Sequence, residues 1–135
     1  MSHIKLFFLA LGLILLMDMI WLGLIAKPLY FKNYSSWLNL EHGKLQVVWW
    51  AAALVYISLA LALVLFVIPL TNGSLSMALF YGLLMGAIIY GVYDFTCLSL
   101  FKDWPVTMAF VDCCWGATLC GLSALGTQYF SRFIL

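Results

Sequence analysis

The sequence predicts an all-α integral membrane protein: a four-helix bundle with short connections and one interfacial aromatic segment after its first helix. Three observations predict it. Of 135 residues, 67% are hydrophobic and 8% are charged, against roughly 45–50% and about 25% in soluble domains. Four stretches reach the roughly 20 apolar residues that a membrane-crossing helix needs. The segments between the last three of them are short and turn-rich, which joins antiparallel neighbours. Six basic and five acidic residues leave a formal net charge of +1. That balance excludes a basic nucleic-acid binder, an acidic tail and a disordered segment. The whole chain, 1–135, reads as one membrane domain with the lipid bilayer as its first partner.

The first span covers about residues 4–26 and stops at Lys27-Pro28, because proline cannot continue the helix. It differs from a cleaved signal peptide in two respects: Leu24 stands where a small residue is wanted, and Asp18 interrupts the apolar run. We read it as a retained helix. The connection from Lys27 to Lys44 carries Tyr30, Phe31, Tyr34, Trp37, Leu38 and Leu40 among small polar residues. It suits a short helix in the headgroup layer, and an aromatic belt with no further role is the expected reading of its rings. The second span covers about 45–70 and the third about 75–100, joined by Thr71-Asn72-Gly73-Ser74. The fourth covers about 106–129, after Phe101-Lys102-Asp103-Trp104-Pro105. Continuous hydropathy favours helices over the shorter, alternating strands of a barrel.

Lys27, Lys32, Lys44 and Lys102 fall on one side of the membrane, Lys5 and Arg132 on the other. Four against two places the long connection in the cytoplasm and both termini outside. Cys97, Cys113, Cys114 and Cys120 all lie within spans without metal-ligand spacing, and read as soft packing residues. No metal site is expected from them.

The acids carry the functional signal. Asp18, Asp94 and Asp112 lie inside predicted spans, where an aspartate costs roughly 2.5–3.5 kcal/mol on insertion scales. An ionisable group at that depth is by default a candidate functional site. Asp18 is nine residues before Lys27, Asp94 eight before Lys102, and Asp112 seven after Pro105. At 1.5 Å per residue each sits roughly 10–14 Å below the same face. Carboxylates gathered in one layer would not all ionise, so the layer would hold protons, a cation or a cationic ligand. Trp21 follows Asp18 by three residues and Trp115 follows Asp112 by three, which puts each pair on one helix face. Gln46 with Trp49 and Asp94 with Cys97 repeat the spacing. Tyr90, Tyr93 and Thr96 are candidate hydrogen-bond donors to the layer. Glu41 and His42 stand at the mouth of the second span, and His3 lies at the opposite end. Gly23, Gly82, Gly86, Gly91, Gly116 and Gly121 suit close helix packing rather than chemistry.

Leu16-Met17-Asp18-Met19-Ile20-Trp21-Leu22-Gly23 resembles the first-helix motif of the small bacterial membrane-protein family known as domain of unknown function 2177. Tyr93-Asp94-Phe95-Thr96, Trp104-Pro105 and Val111-Asp112-Cys113-Cys114-Trp115-Gly116 are similar to its third- and fourth-helix motifs. The resemblance implies four helices in a bacterial inner membrane and no established activity or cofactor. It covers Asp18, Trp21, Gly23, Tyr93, Asp94, Thr96, Trp104, Asp112, Trp115 and Gly116. Cys97 stands where the pattern has asparagine, and residues 39–50 match poorly, so Glu41 and His42 are not carried over.

Three functions are compatible with these residues. The first is binding or transport of a proton-coupled or cationic small solute, with Asp18 and Asp112 as coupling acids, Trp21 and Trp115 as walls, and a homo-oligomer completing the path. The second is a membrane-embedded lipid-modifying enzyme or lipid-binding protein with a lipid headgroup as partner, in which Asp18, Asp94 and Asp112 hold a divalent cation through oxygen ligands or serve as general acid and base. The third is an accessory subunit whose acids only hold helices together.

Overall fold

The computed structural model describes residues 2–135. Helix α1 (Ser2–Ile20) runs into a π-helical turn, Trp21–Ile25. A short helix α2 (Lys27–Tyr34) follows, then a hairpin of strands β1 (Leu40–Glu41) and β2 (Lys44–Leu45). Helix α3 (Trp49–Ala62) continues through a π turn, Leu63–Val67, and a 3-10 turn, Ile68–Thr71. Helices α4 (Leu75–Leu100) and α5 (Val106–Ile134) complete the chain. Among the described residues four segments are long and apolar enough to cross a membrane: His3–Ile25, Trp49–Thr71, Leu75–Leu100 and Val106–Ile134.

Both π turns lie just ahead of a proline, Pro28 or Pro69. A proline lacks the N–H donor and its ring crowds the carbonyl four residues back, so the upstream turn widens to find other partners. In the first turn the Ala26 N–H accordingly reaches the Trp21 carbonyl, 2.7 Å away. Asn72 and Gly73, both at positive φ, then break the second span, and the Ser74 side chain caps α4 by accepting from the Met77 N–H.

Two boundaries differ from the sequence expectation. The second span starts at Trp49 rather than near residue 45, because Leu40 pairs with Leu45 and Glu41 with Lys44 in an antiparallel hairpin. His42 and Gly43 both have positive φ, the signature of a tight two-residue hairpin turn. Gln46 is therefore not on the helix with Trp49, and their helical pairing does not exist. The fourth helix runs past residue 129 to Ile134, where its carbonyl accepts from the Lys5 ammonium.

The core is built on α4 and α5, the most extensive helix pair. Small residues face each other along it: a Cβ on Gly86 would lie 2.2 Å from the Gly116 carbonyl oxygen, and one on Gly82 2.6 Å from that of Cys120. Backbones thus touch, as close membrane-helix packing requires. Helix α1 packs on α5 and on α3. The contacts of the second span with α4 come chiefly from Leu63–Thr71, so α3 itself stands away from α4 at the lysine-bearing end. At the opposite end Thr71, itself buried, donates to Gln128 on α5 over 2.7 Å. Thr71→Val should lower unfolding stability by about 1 kcal/mol, read as a shift in thermal unfolding in mild detergent.

Candidate functional site

Every fourth residue of α1, namely Leu6, Ala10, Ile14 and Asp18, is buried. That row is the helix's inward stripe, so an otherwise apolar face ends in a carboxylate only 5% exposed. Two other helices close on it. The Tyr56 hydroxyl of α3 donates to Asp18 Oδ2, and Trp115 Nε1 of α5 donates to Oδ1 at 2.9 Å. Asp18 therefore ties α1, α3 and α5 together, with a donor on each oxygen.

Asp112, one turn before Trp115 on α5, is served from the other direction. Tyr30 of α2 donates to Asp112 Oδ1 at 2.6 Å, and Trp21 Nε1 donates to the Tyr30 hydroxyl at 3.2 Å. The Trp21 and Trp115 rings stack between the two acids, 4.5 Å apart and within 10° of parallel. The pairing is crossed: each acid is reached by the tryptophan that follows the other acid, directly for Asp18 and through Tyr30 for Asp112. Burial first, and then the charge of Asp112, push the Tyr30 phenol well above its ordinary range, so it remains a donor. The same two causes raise Tyr34.

Asp94 of α4 is fully buried, and neither of its oxygens has a partner among the described residues. Its carboxyl lies close to that of Asp112 on α5. Two carboxylates offer each other acceptors only, and one shared proton would join them. Over this pair lies an aromatic roof. Tyr34 packs on Trp104 at 5.0 Å, and Trp104 on Trp37 at 4.9 Å and Phe101 at 5.7 Å. The expected belt of interfacial rings thus has a structural task, which corrects the sequence reading: α2 folds back over the bundle and lends Tyr30 and Tyr34 to it.

A cavity of about 410 Å³ lies beneath α2. Asp18 and Asp112 open into it, with Tyr30, Tyr34, Tyr56, Tyr90, Tyr93 and Trp115 as aromatic walls. Lys27 is the one basic residue of the lining among the described residues. Among the described residues no group of three or more His, Cys, Asp or Glu converges in a metal-ligating arrangement. The acids instead divide into a donor-satisfied Asp18 and a facing pair, Asp94 and Asp112.

Over residues 3–129 the sequence matches a family described as "Predicted membrane protein (DUF2177)". The chain belongs to the DUF2177 family. No curated protein and no solved structure matches it.

Other residues singled out from the DUF2177 chain's sequence are placed differently. Thr96 is exposed and lines no wall of the cavity. Among the described residues the donors to Asp18 and Asp112 are Tyr56, Trp115 and Tyr30, not the hydroxyls expected from α4. Tyr93 lines the cavity, as does Tyr90, against whose ring a Cβ at Gly116 would collide at 2.0 Å. Cys97 is buried beside Tyr93. Glu41 and His42 sit exposed on the hairpin, and Gln46 is exposed after it. Trp49, 73% exposed, lines only an outer groove. Trp104 belongs to the roof, not the cavity. Sequence reasoning passed over Tyr30, Tyr34 and Tyr56. Tyr30 and Tyr34 carried a signal, their four-residue spacing after Pro28, which puts both on one face of a helical turn. Tyr56 carried a weaker one, as the single tyrosine of its span.

Proposed function

We propose that the protein binds a small cationic or proton-coupled solute in the cavity between Asp18 and Asp112, and moves it when a second copy completes the path. The observation that carries this reading is the pair of intramembrane carboxylates opening into one aromatic-walled cavity. Intramembrane acids mark cation and proton routes. Tryptophan and tyrosine faces attract an ammonium group by about 0.5–2 kcal/mol, more when water is excluded. Asp94, buried behind Asp112 without a donor, supplies a place for a proton to reside while a cation is absent. Four helices enclose too little volume for a channel of their own, which favours a homo-oligomer.

The Trp21–Trp115 stack provides the readout. Titration of the detergent-solubilised protein with ethanolamine or tetramethylammonium should change its tryptophan fluorescence saturably, with an apparent affinity that falls as the medium is acidified. Asp112→Asn keeps the shape of the side chain and an acceptor for Tyr30 but removes the charge. It should weaken that binding roughly tenfold or more, about 1.4 kcal/mol, and flatten its pH dependence. Equal binding and equal pH dependence in the variant would sink the reading.

A further inference from the structure

The acidic cavity does not end at its own walls. It continues outward into a second groove between the π turn of α1, α2, the hairpin and the start of α3, with Leu22, Lys27, Phe31, Leu45, Ala52 and Tyr56 lining both spaces. The outer groove has a volume of about 630 Å³. Its charge is of the opposite sign: Lys27 and Lys44 line it, and among the described residues no acid does. Lys27 stands over the Phe31 ring, 5.5 Å from its centroid, and Phe31 lies at the junction of the two spaces. The remaining lining is apolar and open, with Met19 and Trp49 at least half exposed. One passage thus runs from lipid-facing apolar side chains, past two ammonium groups, to two carboxylates among aromatic rings.

We propose that the occupant of this passage is a membrane phospholipid with an amine-bearing headgroup. Its phosphate lies between Lys27 and Lys44, its ammonium reaches inward to Asp112 and Asp18, and its acyl chains leave along Met19, Leu22 and Trp49. The order of charges along the passage matches the order in such a headgroup, anion outside and cation inside. Basic grooves at the headgroup level of helical bundles are suited to lipid phosphates. A soluble amine would satisfy the acids but has no use for the lysines or for the apolar flank. An anionic phospholipid would satisfy the lysines and leave the acids unmatched. The proposal rests on the reading of the acidic cavity as a cation site, and names the class of its ligand.

The test is native mass spectrometry of the delipidated full-length protein in detergent. It is titrated in parallel with dioleoylphosphatidylethanolamine, dioleoylphosphatidylglycerol and soluble phosphoethanolamine. The phosphatidylethanolamine adduct should form at roughly tenfold lower concentration than either of the others. Lys44→Ala changes an exposed side chain that lines the outer groove and not the acidic cavity, and should weaken that adduct about fivefold while leaving ethanolamine-induced fluorescence changes intact. Equal retention of both lipids, equal binding of soluble phosphoethanolamine, or an unchanged adduct in Lys44→Ala would overturn the lipid assignment. In any of those cases a persisting ethanolamine response, lost in Asp112→Asn, would leave the cation site standing. Absence of both the lipid adduct and the ethanolamine response would remove the two together.

Discussion

Replacing Gly86 by valine is expected to prevent α4 and α5 from closing. Even the first added carbon would lie 2.2 Å from the Gly116 carbonyl oxygen and 2.8 Å from the Ala117 Cα. Both are backbone atoms of the facing helix, so no side chain can rotate away and the helices themselves must part. Overpacking of a well-packed core costs typically about 1–3 kcal/mol, and more where the obstacle is backbone. Separation would also open the small-residue seam that holds the two longest helices together. We expect Gly86→Val to fall at or beyond the upper end of that range, seen as a large drop in thermal unfolding temperature or failure to recover a monodisperse species. Gly12→Ala is the control, since nothing lies within 4 Å of a Cβ there. It should remain within about 0.5 kcal/mol of the parent. Similar stability for the two variants would contradict the backbone contact between α4 and α5.

Asp18→Ala is expected to be the most damaging change at the acidic site. It leaves the Tyr56 hydroxyl and the Trp115 indole N–H without their acceptor in an apolar interior. Each such orphaned donor costs about 1–3 kcal/mol, and α1, α3 and α5 lose their common tie. The loss should total about 2–6 kcal/mol, and Tyr56→Phe in the Asp18→Ala background should cost almost nothing further. That non-additivity, measured as a double-mutant cycle by thermal or denaturant unfolding, distinguishes a bridging acid from one that merely occupies space. Additive effects of the two substitutions would show that Tyr56 and Asp18 act separately.

The two variants draw on features of unequal legibility. Gly82, Gly86, Gly116 and Gly121 could be assigned to close packing from the sequence, because a membrane interior gives little other use for small residues. Which glycine meets which backbone could not be assigned. Asp18, Asp94 and Asp112 stood out because each carries an insertion cost that an apolar chain has no local reason to accept. Their donors did not stand out. Tyr30 and Tyr34 lie in a segment whose aromatic content any interfacial helix would share. Their task appears only once α2 turns back over the bundle. Thr96 shows the converse: a polar residue next to a motif acid, placed by the helix on the outside.

Hydropathy and the spacing of charges determined the number of spans and their approximate limits, because a helix rises by a fixed length per residue and the bilayer has a fixed thickness. They could not determine rotation. These helices are apolar around almost their whole circumference, so no amphipathic stripe announces the inward side. The tertiary structure settled that through contacts available only between elements: the glycine seam that fixes α5 against α4, and the buried row that ends at Asp18. From those rotations follow the crossed tryptophans, the facing Asp94 and Asp112, and the passage that leads from the lysines to the acids.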